Sequence, residues 1–338
     1  MVGPTNSGRI RLLGVIGLLL ASLGAGWLWR DYRLFVDGPL GIRETAYFEI
    51  AKGEGLTHIA DRLAAQGIVA KPFWFKVLAV TQGVHKRLKY GEYEIPPHLT
   101  PRSLLDMLVA GRVRQHAVTI VEGWTFAELL AALARHPALA ADFPQQSPEG
   151  IMALLGAPGQ TPEGRFFPDT YFVTQGTSAL EVLRRAHERM RAVLAEEWRD
   201  RAVPLPLASP DQALILASLV EKETARPEER PVVAGVFLRR LASGMRLQTD
   251  PTVIYGMGAG FAGNLRKEDL LKDTPYNTYT RPGLPPTPIA LPGRSAIRAA
   301  LHPDDGTSLF FVARGDGTHV FSTTLEEHQR AVDQFQRR

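Results

Sequence analysis

The chain has 338 residues, of which 45% are hydrophobic and 22% are charged, and it contains no cysteine. These proportions are ordinary for a folded globular protein, and the lack of cysteine excludes disulfides, thiol nucleophiles and cysteine-based metal sites. The formal net charge of +4 is a small bias towards anionic partners such as wall polymers or lipid headgroups. Basic residues are not interleaved with aromatic ones, which argues against nucleic acid as a partner.

The first element is an apolar segment near the N-terminus. Residues 12–29 are uncharged and rich in leucine, glycine, isoleucine and valine. This length is just enough to span a bilayer as a helix, and Trp27 and Trp29 suit the headgroup level at its end. We predict a transmembrane helix over 12–29, after a short cytoplasmic stub at 1–11. The alternative is a cleaved signal peptide, because two glycines form a small-x-small pattern before Trp27.

Strand and helix signals alternate after a predicted linker at 30–44. Residues 47–50 form a short strand pattern. Thr57 opens an amphipathic helical pattern, which Gly67 stops. A small strand–helix unit is therefore expected directly after the linker.

A second strand–helix unit is predicted at 118–135, and Thr125 and Glu128 in it have the spacing of a capping box. The residues that follow, 137–165, are rich in proline, glycine and alanine. They predict a loop with a short helix, which separates an N-terminal module from the rest of the chain.

The C-terminal half predicts helices and one hairpin from its apolar periodicity and turn residues. The predicted elements are a helix over 179–200, a helix that starts at 209–211 and contains the apolar run 213–220, a helix over 228–243 with Gly244 after its end, a hairpin with strands at 309–313 and 319–321, and a closing helix from Thr323 with Glu326 in its first turn.

Glu221 is the residue that this pattern singles out for chemistry. It follows the run 213–220, which is almost wholly apolar and predicts a helix buried on most sides. Burial and the negative end of the helix dipole both raise the pKa of a carboxyl group at such a place. A carboxylic acid that keeps its proton near neutral pH suits the general-acid cleavage of a glycosidic bond. The alternative is a surface Glu-Lys-Glu sequence at a frayed helix end.

Several polar positions further along the chain suit sugar binding. Gln248 and Asp250 are polar among apolar neighbours, and Pro251 predicts an extended or turn geometry at Asp250. Residues 276–280 and 283–286 form a stiff loop with hydrogen-bonding and stacking groups, although loops of this composition are also ordinary turns.

Other catalytic patterns are weak or absent from the sequence. The glycines at 258, 260 and 263 match a dinucleotide pattern after the strand-like residues 253–255. We reject that match because the following helix is short and no strand with an acidic end comes after it. The histidines lack metal-ligand spacing, and the Gly-x-Ser-x-Gly sequence of serine hydrolases is missing.

Five stretches of the sequence form a specific set of motifs. They are Leu-Val-Glu-Lys-Glu-Thr at 219–224, Gly-Met-Arg-Leu-Gln-Thr-Asp-Pro-Thr-Val-Ile-Tyr-Gly at 244–256, Glu-Gly-Arg-Phe-Phe-Pro-Asp-Thr-Tyr at 163–171, Tyr-Asn-Thr-Tyr at 276–279, and Gly-Leu-Pro-Pro at 283–286 with Pro-Gly at 292–293. Taken together along the chain, these motifs resemble those of the endolytic murein transglycosylases of the MltG (YceG-like) family, and the resemblance covers nearly the whole chain.

The resemblance implies an α+β protein with three parts. These are an N-terminal transmembrane helix, a LysM-like subdomain at 45–115 and a mixed α/β YceG-like catalytic domain at 116–338. It also implies a single-pass anchor in the cell inner membrane, with the catalytic domain in the periplasm.

The implied reaction is non-hydrolytic cleavage of the MurNAc–GlcNAc β-1,4 bond within nascent peptidoglycan strands. The products have 1,6-anhydro-MurNAc ends, and the cut terminates strand elongation. Glu221 matches the family's catalytic position, while Gln248, Asp250, Asn277 and Tyr279 match motif positions expected to bind substrate. No metal or organic cofactor is implied, and the implied partners are glycan strands, the membrane and peptidoglycan polymerases.

Two other functions stay open on the sequence. A hydrolytic glycosidase would need a second carboxylate such as Asp250 or Asp169. A membrane-tethered scaffold that binds the cell wall would not depend on Glu221 at all.

Overall fold

A computed structural model describes residues 6–140, 142 and 146–336. The chain divides into two compact units, Met1–His116 and Ala117–Arg338. Both mix helices and short strands, in agreement with the α+β prediction. The elements of the first unit are α1 (Asn6–Asp37), β1 (Ala46–Ile50), α2 (Leu56–Ala65), α3 (Pro72–Thr81), β2 (Gly91–Ile95) and α4 (Pro101–Ala110).

The second unit carries the remaining elements. They are β3 (His116–Thr119), α5 (Phe126–Arg135), β4 (Leu139–Ala140), α6 (Pro148–Leu154), β5 (Thr170–Val173), β6 (Thr177–Ser178), α7 (Ala179–Arg199), α8 (Pro210–Glu223), α9 (Arg230–Ala242), α10 (Asp250–Met257), α11 (Lys267–Leu271), α12 (Arg294–Leu301), β7 (Phe310–Ala313), β8 (His319–Ser322) and α13 (Leu325–Phe335).

The N-terminal helix α1 is longer than the sequence pattern predicted. Its segment Arg11–Asp37 is long and apolar enough to cross a membrane. Residues 30–37, predicted as the start of a linker, continue the helix because they include neither glycine nor proline, whereas Gly38-Pro39 follows at its end. The start of the predicted stub, residues 1–5, lies outside the described residues.

The first unit packs three helices on a two-stranded antiparallel sheet. In this sheet β1 pairs with β2, with Ala46 opposite Ile95. Phe48 and Ile50 alternate inward along β1 and are buried. Helix α2 starts at Leu56 rather than at Thr57. Helix α3 was not predicted, because its sequence is apolar on all sides and has no helical period.

The second unit is organised around α8. Ser209 caps this helix by accepting a hydrogen bond from the Gln212 amide at 3.3 Å, and Pro210 occupies its first turn. Helices α7, α9, α10 and α12 pack on it. The apolar residues of α8 are buried on most sides, as predicted, with Ile215 partly exposed, and they form the centre of the core. Each buried leucine in it contributes about 2 kcal/mol through removal of apolar surface from water.

The sequence suggested that the segment 137–165 separates two modules, but in the structure it does not. It belongs to the second unit, where Phe126 and Phe166, on either side of it in sequence, stack with ring centroids 5.2 Å apart. Strand β4 within the segment pairs in parallel with β6. The short helix expected there is α6, while residues 141 and 143–145 lie outside the described residues.

The remaining local predictions hold with three exceptions. Asp250, predicted to be extended or in a turn, is the first residue of α10. The capping box at Thr125 and the hairpin β7–β8 are confirmed. The strand-like residues 253–255 are helical and belong to α10, because Pro251 lies in the first turn of a helix, where proline is tolerated. The last helix is capped by Thr324 and Glu327, one residue later than predicted.

Candidate active site

The last turn of α8 presents two carboxylates to two different environments. Glu221 and Glu223 are two residues apart, and a helix turns about 100° per residue, so their side chains leave the helix on different sides. Only one of them reaches the cleft described below.

Glu221, the predicted catalytic residue, is held in a closed ion pair. Its side chain is 6% exposed, and Oε1 accepts a hydrogen bond at 3.0 Å from Arg230, which is itself 7% exposed. Oε2 accepts from the Gly293 amide at 3.0 Å, at the N-terminus of α12. Burial raises the pKa of Glu221, while Gly293 and Arg230 lower it. Both carboxylate oxygens are therefore engaged within the protein.

The absence of a side chain at Gly293 leaves room for the Glu122 side chain beside this contact. A Cβ atom at residue 293 would lie 1.8 Å from Oε1 of Glu122. Glu122 also lies 3.8 Å from Arg230. A side chain at residue 293 would therefore require the half-exposed carboxylate of Glu122 to move.

A cleft of about 400 Å³ opens on the other side of the last turn of α8. It brings together three of the four predicted substrate-binding residues, with a different glutamate. Glu221 is not among the described residues that line it. The polar residues that line the cleft are Glu223, Arg240, Gln248, Asp250, Tyr279, His319, His328 and Gln336.

Glu223 is the carboxyl group of this cleft. It accepts a short hydrogen bond from the Thr249 hydroxyl. Burial raises the pKa of Glu223 to about 7; the Thr249 hydrogen bond and His319 lower it, and the nearby Asp250 raises it. A carboxyl group with this pKa can keep its proton near neutral pH, as a general acid requires.

Gln248 lies two residues before α10, and its backbone has a conformation that residues other than glycine rarely adopt. Its φ angle is +53°, a left-handed geometry that costs about 1 kcal/mol or more for a residue other than glycine. Its backbone amide donates to the Thr278 carbonyl at 3.2 Å, and its Oε1 accepts from Arg240 at 3.2 Å. The strain is thus maintained by contacts that aim Gln248 at the cleft.

Asp250 and Tyr279 form a hydrogen-bonded pair at the cleft. The Tyr279 hydroxyl donates to Asp250 Oδ1 at 2.5 Å. Burial is the main reason that the pKa of Tyr279 is raised, and Asp250 raises it further, so this hydroxyl stays protonated. Both residues, which the sequence predicted to bind substrate, line the cleft.

Asn277, the fourth residue predicted to bind substrate, does not line the cleft. It is fully buried, and its Nδ2 donates to the carbonyls of Leu270 at 3.1 Å and Lys272 at 2.8 Å. Its Oδ1 accepts from the Tyr279 amide at 2.8 Å. Because its hydrogen-bonding groups are used within the loop, Asn277 positions Tyr279.

His319, in β8, is held on the cleft wall by Glu229. Its Nδ1 lies 2.7 Å from Glu229 Oε2, and its amide donates to Oε1 of the same carboxylate at 2.9 Å. The Thr224 hydroxyl also donates to Glu229, at 3.1 Å. The His319 hydrogen bonds are the main influences that lower the pKa of Glu229, against the opposing effect of its burial.

A third carboxyl group with a raised pKa lies outside the cleft. Burial raises the pKa of Glu163 to about 7. Its oxygens accept from the Phe126 amide and from the Tyr255 hydroxyl, each at 2.9 Å. Glu163 therefore links the N-terminus of α5 to α10, the helix that begins at Asp250.

Sequence reasoning missed Glu223, Arg240 and His319. The run before Glu223 is apolar on all faces, so its pattern cannot show which glutamate of the last turn faces a cleft. His319 did carry a usable signal, because it alternates with Val320 and therefore shares the face of Phe321 in β8. Arg240, at the end of α9, has no distinguishing pattern.

A comparison with protein families matches residues 48–334 to the YceG-like family. The chain belongs to the YceG-like family. Two curated relatives are named endolytic murein transglycosylase. That of Bacillus subtilis is 39% identical over 173 residues, covering 51% of this chain and 48% of the relative. That of Streptococcus pneumoniae strain D39 is 26% identical over 360 residues, covering 93% of this chain and 63% of the relative.

The fold agrees with that assignment. A crystal structure of a yceG-like protein of Listeria monocytogenes matches with a TM-score of 0.54 and 28% identity, over 86% of this chain and 99% of that one. The YceG-like chain described here spans about half to two thirds of the length of the two curated relatives.

Proposed function

We propose that this YceG-like protein is an endolytic lytic transglycosylase of peptidoglycan. It would cleave the MurNAc–GlcNAc β-1,4 bond within nascent glycan strands, leave 1,6-anhydro-MurNAc ends and so terminate strand elongation. The observation that carries the proposal is the cleft, in which Glu223 has a pKa of about 7 beside Gln248, Asp250 and Tyr279. The names of the relatives support the substrate class.

Glu223 serves as the catalytic acid in this proposal, in place of Glu221. A general acid must come within hydrogen-bonding distance of the oxygen that it protonates. Glu223 lines the cleft, whereas both oxygens of Glu221 are bonded to Arg230 and Gly293. Glu221 instead holds the end of α8 against α9 and α12.

The reaction needs one carboxyl group that works twice. Glu223 gives its proton to the bridging oxygen as the bond from that oxygen to the MurNAc anomeric carbon breaks, and GlcNAc leaves with a free hydroxyl group. The Glu223 carboxylate then takes the proton of the MurNAc C6 hydroxyl, whose oxygen bonds to the anomeric carbon. The C6 hydroxyl is held beside its target, and this proximity favours it over bulk water. No atom is gained or lost overall.

The proposed cellular setting follows from the N-terminal unit. Helix α1 would be a single-pass anchor in the cell inner membrane, with the rest of the chain in the periplasm, near peptidoglycan polymerases. Apolar residues of the expected LysM-like subdomain at 45–115, such as Phe48 and Ile59, lie in β1 and α2 and are buried there. Their ordered packing supports a LysM-like role for the first unit.

A hydrolytic glycosidase is the second candidate, and one observation favours it. Asp250 lines the same cleft as Glu223 and raises its pKa, so two carboxyl groups are near one another. Such a pair can activate water or form a covalent intermediate. Against this, Asp250 is engaged by the Tyr279 hydroxyl at 2.5 Å.

The test is to cleave uncrosslinked glycan strands with the full-length protein in heavy-oxygen water. A transglycosylase gives unlabelled ends that weigh one water less than hydrolysis products and resist borohydride reduction. Labelled, reducible ends would establish hydrolysis and point to Asp250. Strands that stay intact with the wild-type protein would contradict both catalytic proposals and favour a wall-binding scaffold.

A further inference from the structure

Four aromatic side chains form a continuous surface where α1 meets α3 in the first unit. We name it the aromatic ridge, and its members are Trp29, Tyr32, Phe73 and Trp74. The ring centroids of Trp29 and Tyr32 are 6.0 Å apart, those of Tyr32 and Trp74 5.4 Å, and those of Phe73 and Trp74 4.9 Å. The ridge thus extends laterally from α1 to the N-terminal turn of α3.

Hydrogen bonds connect α1 to α3 at this point, and a buried side chain of α1 packs in the core of the first unit. Asp31 accepts hydrogen bonds from Lys71 at 2.5 Å and from the Trp74 indole at 2.8 Å. One turn further along α1, Val36 is fully buried in the core of the first unit. Because α1 enters that core as an unbroken helix, the unit cannot swing freely about the end of the apolar segment.

Both ends of the ridge are open to solvent although they are apolar. Trp29 is 64% exposed and Phe73 is 63% exposed. They continue the exposed apolar surface of α1, whose leucines from Leu12 to Leu28 are also exposed. An apolar surface of this kind, joined to a membrane-spanning helix, marks a site of contact with lipid.

The height of the ridge matches the headgroup layer. A helix rises 1.5 Å per residue, so Tyr32 lies roughly 4.5 Å along α1 beyond Trp29. The headgroup region on each side of the hydrocarbon core is roughly 5–8 Å thick. Tryptophan and tyrosine are the side chains enriched at this level. The exposed Arg30, beside Trp29, adds a positive charge that suits anionic headgroups.

We propose that the aromatic ridge lies in the lipid headgroup layer and that α3 is a second membrane contact of the first unit. The bilayer is the one that α1 spans, so the proposal rests on the proposed anchor and not on the enzymatic activity. Helix α3 would rest its first turn on the membrane surface and fix the orientation of the first unit against it.

The experiment uses single cysteines, since the natural chain has none. Phe73→Cys places a fluorescent NBD label on the ridge. Tyr90→Cys is the matched control, because Tyr90 is 61% exposed. The neighbouring Lys89 binds Leu108 at the C-terminal end of α4, whereas Arg102 at the other end of α4 pairs with Asp37 of α1. Because α4 is about 15 Å long, Tyr90 lies near the end of α4 that is remote from its contact with α1.

Each labelled full-length protein is reconstituted in phosphatidylethanolamine–phosphatidylglycerol nanodiscs, with and without lipids that carry a doxyl quencher near the headgroup. We expect several-fold stronger quenching at residue 73 than at residue 90, with a blue-shifted emission at residue 73 alone. Equal, weak quenching at both positions would overturn the proposal. So would a mature N-terminus at Trp27, because the apolar part of α1 would then be absent. Circular dichroism of both variants confirms that they fold, and failure of catalysis would leave this result unaffected.

Discussion

Glu221 and Glu223, on two sides of the last turn of α8, differ in the groups that surround their carboxylates. Glu221 is locked between Arg230 and the N-terminus of α12. Glu223, two residues later, faces a cleft with Thr249, Asp250 and His319 near it. Both follow the same apolar run, and burial raises the pKa of both. A raised pKa thus does not distinguish the two carboxyl groups, and we propose Glu223 as the acid because it lines the cleft.

The largest expected difference is in activity. Glu223→Gln keeps the shape of the side chain but removes the transferable proton, so strand cleavage should fall by about a hundredfold to ten-thousandfold. Glu221→Gln is the matched control and should retain activity within about fivefold, because it lies outside the cleft. Turnover on uncrosslinked strands measures both. Loss of activity in Glu221→Gln alone would reverse the assignment.

The structural side of the comparison should appear in stability. Arg230→Met leaves Glu221 buried without its main cationic partner, so the free energy of unfolding should fall by about 3 kcal/mol. Adding Glu221→Gln to the same chain should restore part of that loss, which chemical denaturation measures. Arg226→Met is the control, because Arg226 is exposed and its nearest carboxylate atom is 3.8 Å away. A loss of equal size in the control would show that the ion pair is not the cause.

The neighbours of Glu223 should move the pH at which activity is lost. The acid works in its protonated form, so the rate falls as pH rises through its pKa, about 7. Asp250 raises this pKa, hence Asp250→Asn should shift the loss to lower pH. His319 lowers it, hence His319→Gln should shift the loss to higher pH, each by roughly half a unit. Rate profiles over pH test this, and shifts of the same sign would refute it.

The smallest effect is expected at Tyr279. Tyr279→Phe removes the hydrogen bond to Asp250 and keeps the ring, so the rate should fall roughly fivefold, which corresponds to about 1 kcal/mol. The exposed Tyr47, in the first unit, supplies the control Tyr47→Phe, which should leave the rate unchanged. A hundredfold loss in Tyr279→Phe would mean that its hydroxyl takes part in proton transfer.

Much of the fold could be predicted from the sequence, because its signals are local. The Ser209 cap, the apolar run of α8, the Thr125 capping box and the β7–β8 hairpin depend on neighbouring residues. Helix α3 was not predicted, because an apolar helix without a polar face shows no helical periodicity of apolar and polar residues. The start of α10 was misread because proline after aspartate suits a turn and a first helical turn equally.

The site was only partly predictable, for a related reason. Gln248, Asp250 and Tyr279 do line the cleft. The choice between Glu221 and Glu223, however, depends on contacts with residues distant in sequence, such as Gly293, 72 positions away. The position of Asn277 could not be predicted for the same reason. Its motif position suits substrate binding, but its side-chain amide donates to a carbonyl of its own loop, that of Lys272.

The most direct measurement of the central claim is a carbon-13 titration of glutamate carboxyl groups in the wild-type protein, with product strands added. The resonance missing from Glu223→Gln should titrate near pH 7 and shift when strands bind. The resonance missing from Glu221→Gln should not respond to strands, because its oxygens face Arg230 and Gly293. A strand-dependent shift of the Glu221 resonance, with an unchanged Glu223 resonance, would contradict the account.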